Sequence, residues 1–303
     1  MSGTPDRRQL LMSFAAAAAM LPGRHALAQT PVLTKPIPSS GEQLPLVGLG
    51  SWITFNVGDD PMARDASADV MRAFFESGGR MIDSSPMYGS AQEVIGYGLE
   101  KIGRPPALFS ADKVWTWSDG PDQIEESRRF WGLPKFDLLQ IHNLLSWEEH
   151  LPVLHAMKDA GQLRYLGITT SEGRRHDEFI EIMRREPLDF IQVTYNILDR
   201  EVESDILPLA AERGMAVLVN RPFQQGALTD ALEGQPLPPW AADIGCTTWA
   251  QILLKFIISH PAVTCAIPAT SNVDHVRENM LAARLPLPDA AMRQRMIEYV
   301  LAL

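Results

Sequence analysis

Met81-Ile82-Asp83-Ser84-Ser85-Pro86-Met87-Tyr88-Gly89, Phe109-Ser110-Ala111-Asp112-Lys113-Val114-Trp115 and Asp137-Leu138-Leu139-Gln140-Ile141-His142-Asn143 share one plan. Each is a short apolar run that ends in, or leads directly into, a polar group capable of chemistry. Similar runs lie near 46–50, 163–169, 189–195, 215–220 and 264–268. Continuous apolarity over so few residues suits strands buried on both faces, as in a parallel sheet covered by helices. Helical patterns separate the runs. One begins at Asp65-Ala66-Ser67, one at Ser90-Ala91-Gln92-Glu93 in capping-box style, and one at Trp147-Glu148-Glu149. Others are predicted over about 120–131, 175–186, 203–213, 247–259 and 273–282. Eight strands with eight helices at βαβ spacing predict a (β/α)8 TIM barrel. The alternative, a doubly wound sheet, lacks its usual Gly-x-Gly-x-x-Gly turn after the first strand.

Outside this repeat, residues 33–45 carry Ser39-Ser40-Gly41-Glu42, a turn that would join two short strands ahead of the barrel. Asp289 to Leu301 would form a terminal helix on the outer surface. The Pro- and Gly-rich excursion 221–245 reads as a long loop after the seventh strand, and such loops are usually functional lids or mobile segments.

The chain has 303 residues, 46% of them hydrophobic, and a formal charge of -10. The length fits one barrel domain of about 250 residues. The acidity argues against a nucleic-acid partner or an anionic membrane surface. Residues 1–28 are read apart from the barrel, which then spans 29–303. Asp6-Arg7-Arg8-Gln9-Leu10-Leu11 resembles a twin-arginine export motif, without the usual Ser/Thr before and Phe after the pair. An apolar stretch, Leu10 to Leu21, follows it, and Ala26-Leu27-Ala28 is a small-x-small cleavage site before Gln29. That stretch falls short of the roughly 20 residues a membrane span needs, so no stable membrane association is expected. The expectation is a periplasmic protein exported folded by transient contact with the export machinery, or a cytoplasmic one if the leader reading fails. Cys246 and Cys265 are expected at opposite ends of a helix–strand pair, too far apart for a disulfide and therefore free. No metal-type Cys/His cluster occurs.

On a barrel, functional groups gather at the C-terminal ends of the strands. Asp83, Lys113 and His142 end three successive strands, and Tyr88 follows Asp83 in its loop. Singly, each has a plain reading: a packed aromatic, a structural histidine, a buried ion pair. Together a phenol, an ammonium, a carboxylate and an imidazole make a proton-donating site. Their order and the words around them resemble the aldo-keto reductases over roughly Leu33 to Ala283. The resemblance implies hydride transfer between a nicotinamide cofactor and an aldehyde or ketone, with Tyr88 as general acid. It also implies a hairpin plugging the barrel floor. Free tyrosine titrates near pH 10, so Lys113 is expected to lower the Tyr88 pKa. Asp83 would keep Lys113 charged, and His142 would hydrogen-bond the substrate carbonyl.

The same resemblance assigns a cofactor wall. Gly50-Ser51-Trp52 matches the first βα loop, contributing Ser51 and Trp52, and Gln192 matches a carboxamide-binding glutamine. Thr169-Thr170 replaces Ser-Asn. Asn220-Arg221-Pro222-Phe223 stands where Tyr-Ser-Pro-Leu is common, so the aromatic that would stack on nicotinamide is absent. The segment Ala269-Thr270-Ser271-Asn272, continuing through His275 to Glu278 and Asn279, matches the adenosine-phosphate loop. Ala269 and His275 replace its usual Lys and Arg, while Arg277 lies nearby. NADP(H) is the favoured cofactor by analogy, with NAD(H) the other choice. Trp52, Trp115 and Trp117 are the candidate substrate contacts, suiting a small carbonyl compound. The chain reads as a monomeric reductase. The rival is an exported barrel-fold binding or accessory protein without redox turnover.

Overall fold

The computed structural model describes residues 31–303 other than Asp119 and Leu285. The expected export signal over 1–28 lies outside the described residues. A hairpin comes first: β1 (Thr34–Pro36) pairs antiparallel with β2 (Gln43–Pro45). Gly41, at φ 77°, supplies the left-handed residue of its turn. Then β3 (Leu49–Gly50), β4 (Met81–Asp83), β5 (Phe109–Val114), β6 (Phe136–Ile141), β7 (Leu163–Thr169), β8 (Phe190–Thr194), β9 (Ala216–Asn220) and β10 (Cys265–Ala266) pair in parallel in chain order. Backbone bonds bring the last strand to the first: Gly48 N donates to Ala266 O at 2.8 Å, and Gly50 N to Pro268 O at 3.0 Å. The sheet is thus a closed (β/α)8 barrel, as the strand spacing predicts.

The helices α1 (Pro61–Glu76), α2 (Ala91–Lys101), α3 (Gly120–Trp131), α4 (Trp147–Asp159), α5 (His176–Arg185) and α6 (Ile206–Arg213) follow successive strands. After β9 come the short α7 (Ala227–Ala231) and the buried α8 (Trp249–Ile258); α9 (Val273–Ala282) and α10 (Ala290–Leu301) complete the chain. Two helix starts differ from expectation. The helix read from Asp65 begins at Pro61, because Asp60 caps it by accepting from Met62 N at 2.8 Å and Ala63 N at 3.2 Å. Asp65 instead accepts the Tyr97 hydroxyl at 2.5 Å. At α2 there is no capping box: Ser90 makes no cap bond, and its Oγ accepts from Gly58 N at 2.8 Å. Gln92 is turned inward to other work. The excursion 221–245 is also not structureless, since it holds α7 and two 3-10 turns and buries Trp240 against Tyr299.

Strand alternation decides which side chains meet inside. In β5, Phe109 and Ala111 face the barrel interior with Met81, Leu138, Tyr165 and Phe190. Val114 faces the helices, in the large outer core. Phe109 stacks on Tyr165, ring centres 5.8 Å apart, and Tyr165 meets Phe190 edge-on at 5.5 Å. Ile37 and Leu44 of the hairpin join this cluster and close the floor. The Tyr165 hydroxyl reaches past it to Ser40 Oγ at 2.7 Å. Gly167 lets β7 lie close against β8: a Cβ there would lie 2.4 Å from the backbone oxygen of Phe190. Cys246 and Cys265 are buried and free, and burial pushes the Cys246 thiol up to about 12.

Candidate active site

At the C-terminal ends of the strands the interior turns polar. Lys113, fully buried, donates through Nζ to Asp83 Oδ2 at 2.5 Å and to Ser84 O at 2.9 Å. The other carboxylate oxygen, Oδ1, accepts Gln192 Nε2 at 2.9 Å and Gln140 Nε2 at 3.3 Å. Two amides and an ammonium therefore hold one buried carboxylate in place. Burial alone would discharge Lys113, but the charge and hydrogen bond of Asp83, joined by Tyr88 and Asp112, together outweigh it and raise the lysine pKa.

The loop after β4 folds Tyr88 back over this pair. Ser85 caps the 3-10 turn Pro86–Tyr88, its Oγ accepting from Met87 N at 3.2 Å. The same hydroxyl lies 2.7 Å from His142 Nδ1. With the Ser85 proton donated to Nδ1, the imidazole proton resides on Nε2, and the ring offers a donor. The Tyr88 ring stands edge-on to His142, centres 5.6 Å apart, and 5.2 Å from the Lys113 ammonium. Trp52 adds a third ring at 6.4 Å from Tyr88. The structure thus gathers all four of Asp83, Tyr88, Lys113 and His142 in one cluster.

The electrostatics of the phenol run opposite to the simple expectation. Burial raises the Tyr88 pKa; Lys113 pulls it down, Asp83 pushes it up again, and the net direction is upward. The phenol thus holds its proton throughout the neutral range. His142 is held well below the ordinary imidazole range, first by burial and then by the charges of Lys113 and Arg174, so it is neutral there.

A cavity of about 920 Å³ opens beside the cluster. Asp83, Tyr88 and His142 line it, whereas Lys113 lies behind them. Of the candidate cofactor contacts, Ser51, Trp52, Thr169 and Gln192 reach the lining, as do Asn220, Arg221, Thr270, His275, Glu278 and Asn279. Three candidates point elsewhere. Thr170 spends its hydroxyl on Arg174 O at 2.5 Å, Asn272 caps α9 by accepting from Asp274 N at 2.8 Å, and Ser271 is exposed outside the lining. Trp52 lines the cavity. Trp115 and Trp117 stand outside it, Trp117 being 81% exposed.

Some lining groups already have structural partners. Asn220 Oδ1 accepts the Thr194 hydroxyl at 2.7 Å while its Nδ2 donates to Thr170 O at 3.0 Å. An amide at the end of β9 thus ties two neighbouring strand ends, which an aromatic ring there would not do. Thr169 Oγ1 accepts from Asn143 N at 2.9 Å and pins a left-handed residue, φ 53°. Sequence reasoning missed Glu172 and Arg174. Glu172 pairs with Arg221 at 2.8 Å and with Arg174 at 2.7 Å, bridging the loops after β7 and β9 at the cavity wall. Among the described residues, nine of ten non-glycine residues with positive φ lie in loops following barrel strands; Arg104 is the exception. Backbone strain concentrates at the end of the barrel that carries the site.

Residues 46–296 match the Aldo/keto reductase family, and the chain belongs to it. It is an oxidoreductase of the NAD(P)H-dependent kind, acting on carbonyl groups. It is 28% identical over 268 residues to Methylglyoxal reductase YeaE of Escherichia coli, covering 85% of this chain and 92% of that protein. With L-galactose dehydrogenase of Arabidopsis thaliana it shares 24% identity over 311 residues, 90% and 95% of the two chains. A crystal structure of an aldo-keto reductase from Klebsiella pneumoniae in complex with NADPH superposes with a TM-score of 0.74 at 24% identity, covering 88% of this chain and 95% of that one.

Proposed function

We propose that this protein reduces aldehydes or ketones to alcohols, with Tyr88 as the general acid and NADP(H) as the favoured cofactor. The observation that carries the reading is the Tyr88 phenol. Burial holds it protonated beside Lys113 and edge-on to His142, at the wall of a cavity large enough for cofactor and substrate together. A bound nicotinamide would supply the hydride. The residues along the wall fit a dinucleotide: Gln192, Asn220 and Asn279 offer amides, Thr169 and Thr270 hydroxyls, and His275 an imidazole. The preference for NADP(H) rests on aldo-keto reductase structures holding NADP or NADPH. Arg277, next to the loop expected to take the adenosine phosphate, is engaged by Asp274 at 3.2 Å in an exposed ion pair, and NAD(H) is the competing cofactor.

A carbonyl oxygen entering between Tyr88 and His142 would meet two donors. His142 Nε2 holds and polarises it, and the Tyr88 hydroxyl delivers the proton as negative charge grows. Lys113 steadies the phenolate that remains, and Asp83 keeps Lys113 charged. The relatives' printed names cover a small dicarbonyl and a sugar, so the substrate is left at the class of aldehydes and ketones. Tyr88→Phe should lower carbonyl reduction by about 10²–10⁴-fold while circular dichroism and melting stay near those of the parent. Undiminished NADPH-dependent reduction in that variant would remove Tyr88 from the role.

We propose as well that residues 1–28 are a twin-arginine leader and that the protein is exported folded to the periplasm. The motif Arg7-Arg8 and the site Ala26-Leu27-Ala28 support it. N-terminal sequencing of the fractionated protein should start at Gln29; an intact Met1 product in the cytoplasm would defeat it.

A further inference from the structure

One buried acid near the site has no cationic partner. The described residues contain three acidic side chains in the buried class: Asp83, Asp112 and Asp189. Asp83 is paired with Lys113 and Asp189 with Lys158, at 2.5 and 2.6 Å. Asp112 is 0% exposed, and its hydrogen bonds come only from neutral groups. Its Oδ1 accepts the backbone N–H of Lys113 at 2.7 Å, and its Oδ2 accepts Gln92 Nε2 at 2.8 Å. Gln92 also donates to Ser127 Oγ at 2.9 Å, so the network joins β5 to α2 and α3. Burial disfavours the charged form of a carboxylate with these surroundings, whereas its two donors favour it.

We propose that Asp112 is a positioning residue for the reaction, a buried carboxylate behind the barrel wall that orients the Lys113 segment and whose charge opposes proton release from Tyr88. The inference rests on the reading of Tyr88 as the general acid. Alternation in β5 turns Lys113 into the barrel and Asp112 out toward the helices, yet one peptide unit separates them. The Asp112–Lys113 backbone bond also fixes the segment from which the Lys113 ammonium reaches Asp83. The charged groups acting on Asp112 are Lys113 on its own strand and Asp83 on β4; the side chain bonded to it, Gln92 of α2, is neutral, as is Ser127 of α3, which Gln92 also meets. Burial pushes the Asp112 carboxyl up to about 7, against the hydrogen bonds of the Lys113 amide and Gln92. Its negative charge in turn raises the pKa of Tyr88. The sign follows. Above the Asp112 titration the phenol holds its proton more tightly; below it, Asp112 is neutral and the phenol is the stronger acid.

The test uses the whole protein labelled with ¹³C at tyrosine Cζ, the Tyr88 resonance being assigned by its loss in Tyr88→Phe. In the parent the Tyr88 signal should move through one step centred near pH 7, where Asp112 titrates. In Asp112→Asn that step should vanish. Should Asp112→Asn fail to fold, Gln92→Met keeps the carboxyl, withdraws a donor, and should move the step to higher pH. A Tyr88 signal flat through neutrality in the parent, or a step unchanged in the variants, overturns the proposal. In turnover, the parent's reduction rate should fall through the same step and the Asp112→Asn rate should not. A uniform loss at every pH would mark Asp112 as merely structural and overturn the proposal too. If no carbonyl is turned over by the parent while the Tyr88 signal still follows Asp112, the reaction assignment has failed and the coupling has not.

Discussion

Floor and ceiling of this barrel are built from the same strands and held by different forces. At the floor, Phe109, Tyr165 and Phe190 stack over Ile37 and Leu44 of the hairpin, and the cohesion is dispersion and apolar burial. Two pleats further along, β5 presents Lys113, β8 presents Gln192 and β4 ends in Asp83. There the cohesion is an ion pair braced by two amides. Phe109 and Lys113 lie on one face of one strand, four residues apart, so the change of character is a gradient along the strand. The one hydroxyl of this aromatic layer, on Tyr165, is satisfied outside it by Ser40 and Glu42 of the hairpin. At the ceiling the buried charges are tolerable because each has partners, and the site obtains its reactivity from their burial.

The contrast is sharpest where one end is damaged and the other is read. Lys113→Met should be the larger perturbation. It strands Asp83 in the interior at a cost of about 3–5 kcal/mol. It should also remove proton delivery, lowering turnover by about 10²–10⁴-fold. Urea unfolding and carbonyl reduction measure the two losses, and a variant that kept full turnover would show that the ammonium is only a strut. Phe109→Ala should cost a similar or smaller amount of stability, about 3–5 kcal/mol less whatever the floor recovers by settling. The fraction that stays folded should keep the parent's pH–rate profile. A displaced profile in that variant would mean that floor and ceiling are coupled.

The fold was largely legible. Eight apolar runs at regular spacing imply a barrel, because a parallel strand buried on both faces has to be apolar on both, and this signal is local. Helix starts were less so. The helix read from Asp65-Ala66-Ser67 starts four residues earlier, because Asp60 caps it, and Asp65 meets the Tyr97 hydroxyl instead. Ser90 resembled a cap but its hydroxyl is taken by the loop at Asn56 and Gly58.

The site divides in the same way. Asp83, Lys113 and His142 stand at strand ends, which the barrel's polarity puts together, and the resemblance to the aldo-keto reductases singled them out together with Tyr88 in the loop after β4. The role of Gln92 could not be read in this way, since its partners Asp112 and Ser127 lie 20 and 35 residues away on other elements. Nor could the bridge of Glu172 to Arg174 and Arg221, which joins two loops only after the barrel has closed. The direction of the Tyr88 pKa was misjudged for a related reason: a neighbouring ammonium is visible in a sequence, whereas the burial that outweighs it is not.

By itself, then, the sequence determined the barrel, the hairpin beneath it and the four groups at its mouth, because periodicity and strand-end position are properties of contiguous residues. Only the tertiary structure decided which amides brace Asp83, which hydroxyl meets His142 Nδ1, and which carboxylate stands without a cation behind Lys113. Those depend on distances between distant segments and on exclusion of water, and both exist only once the barrel has closed.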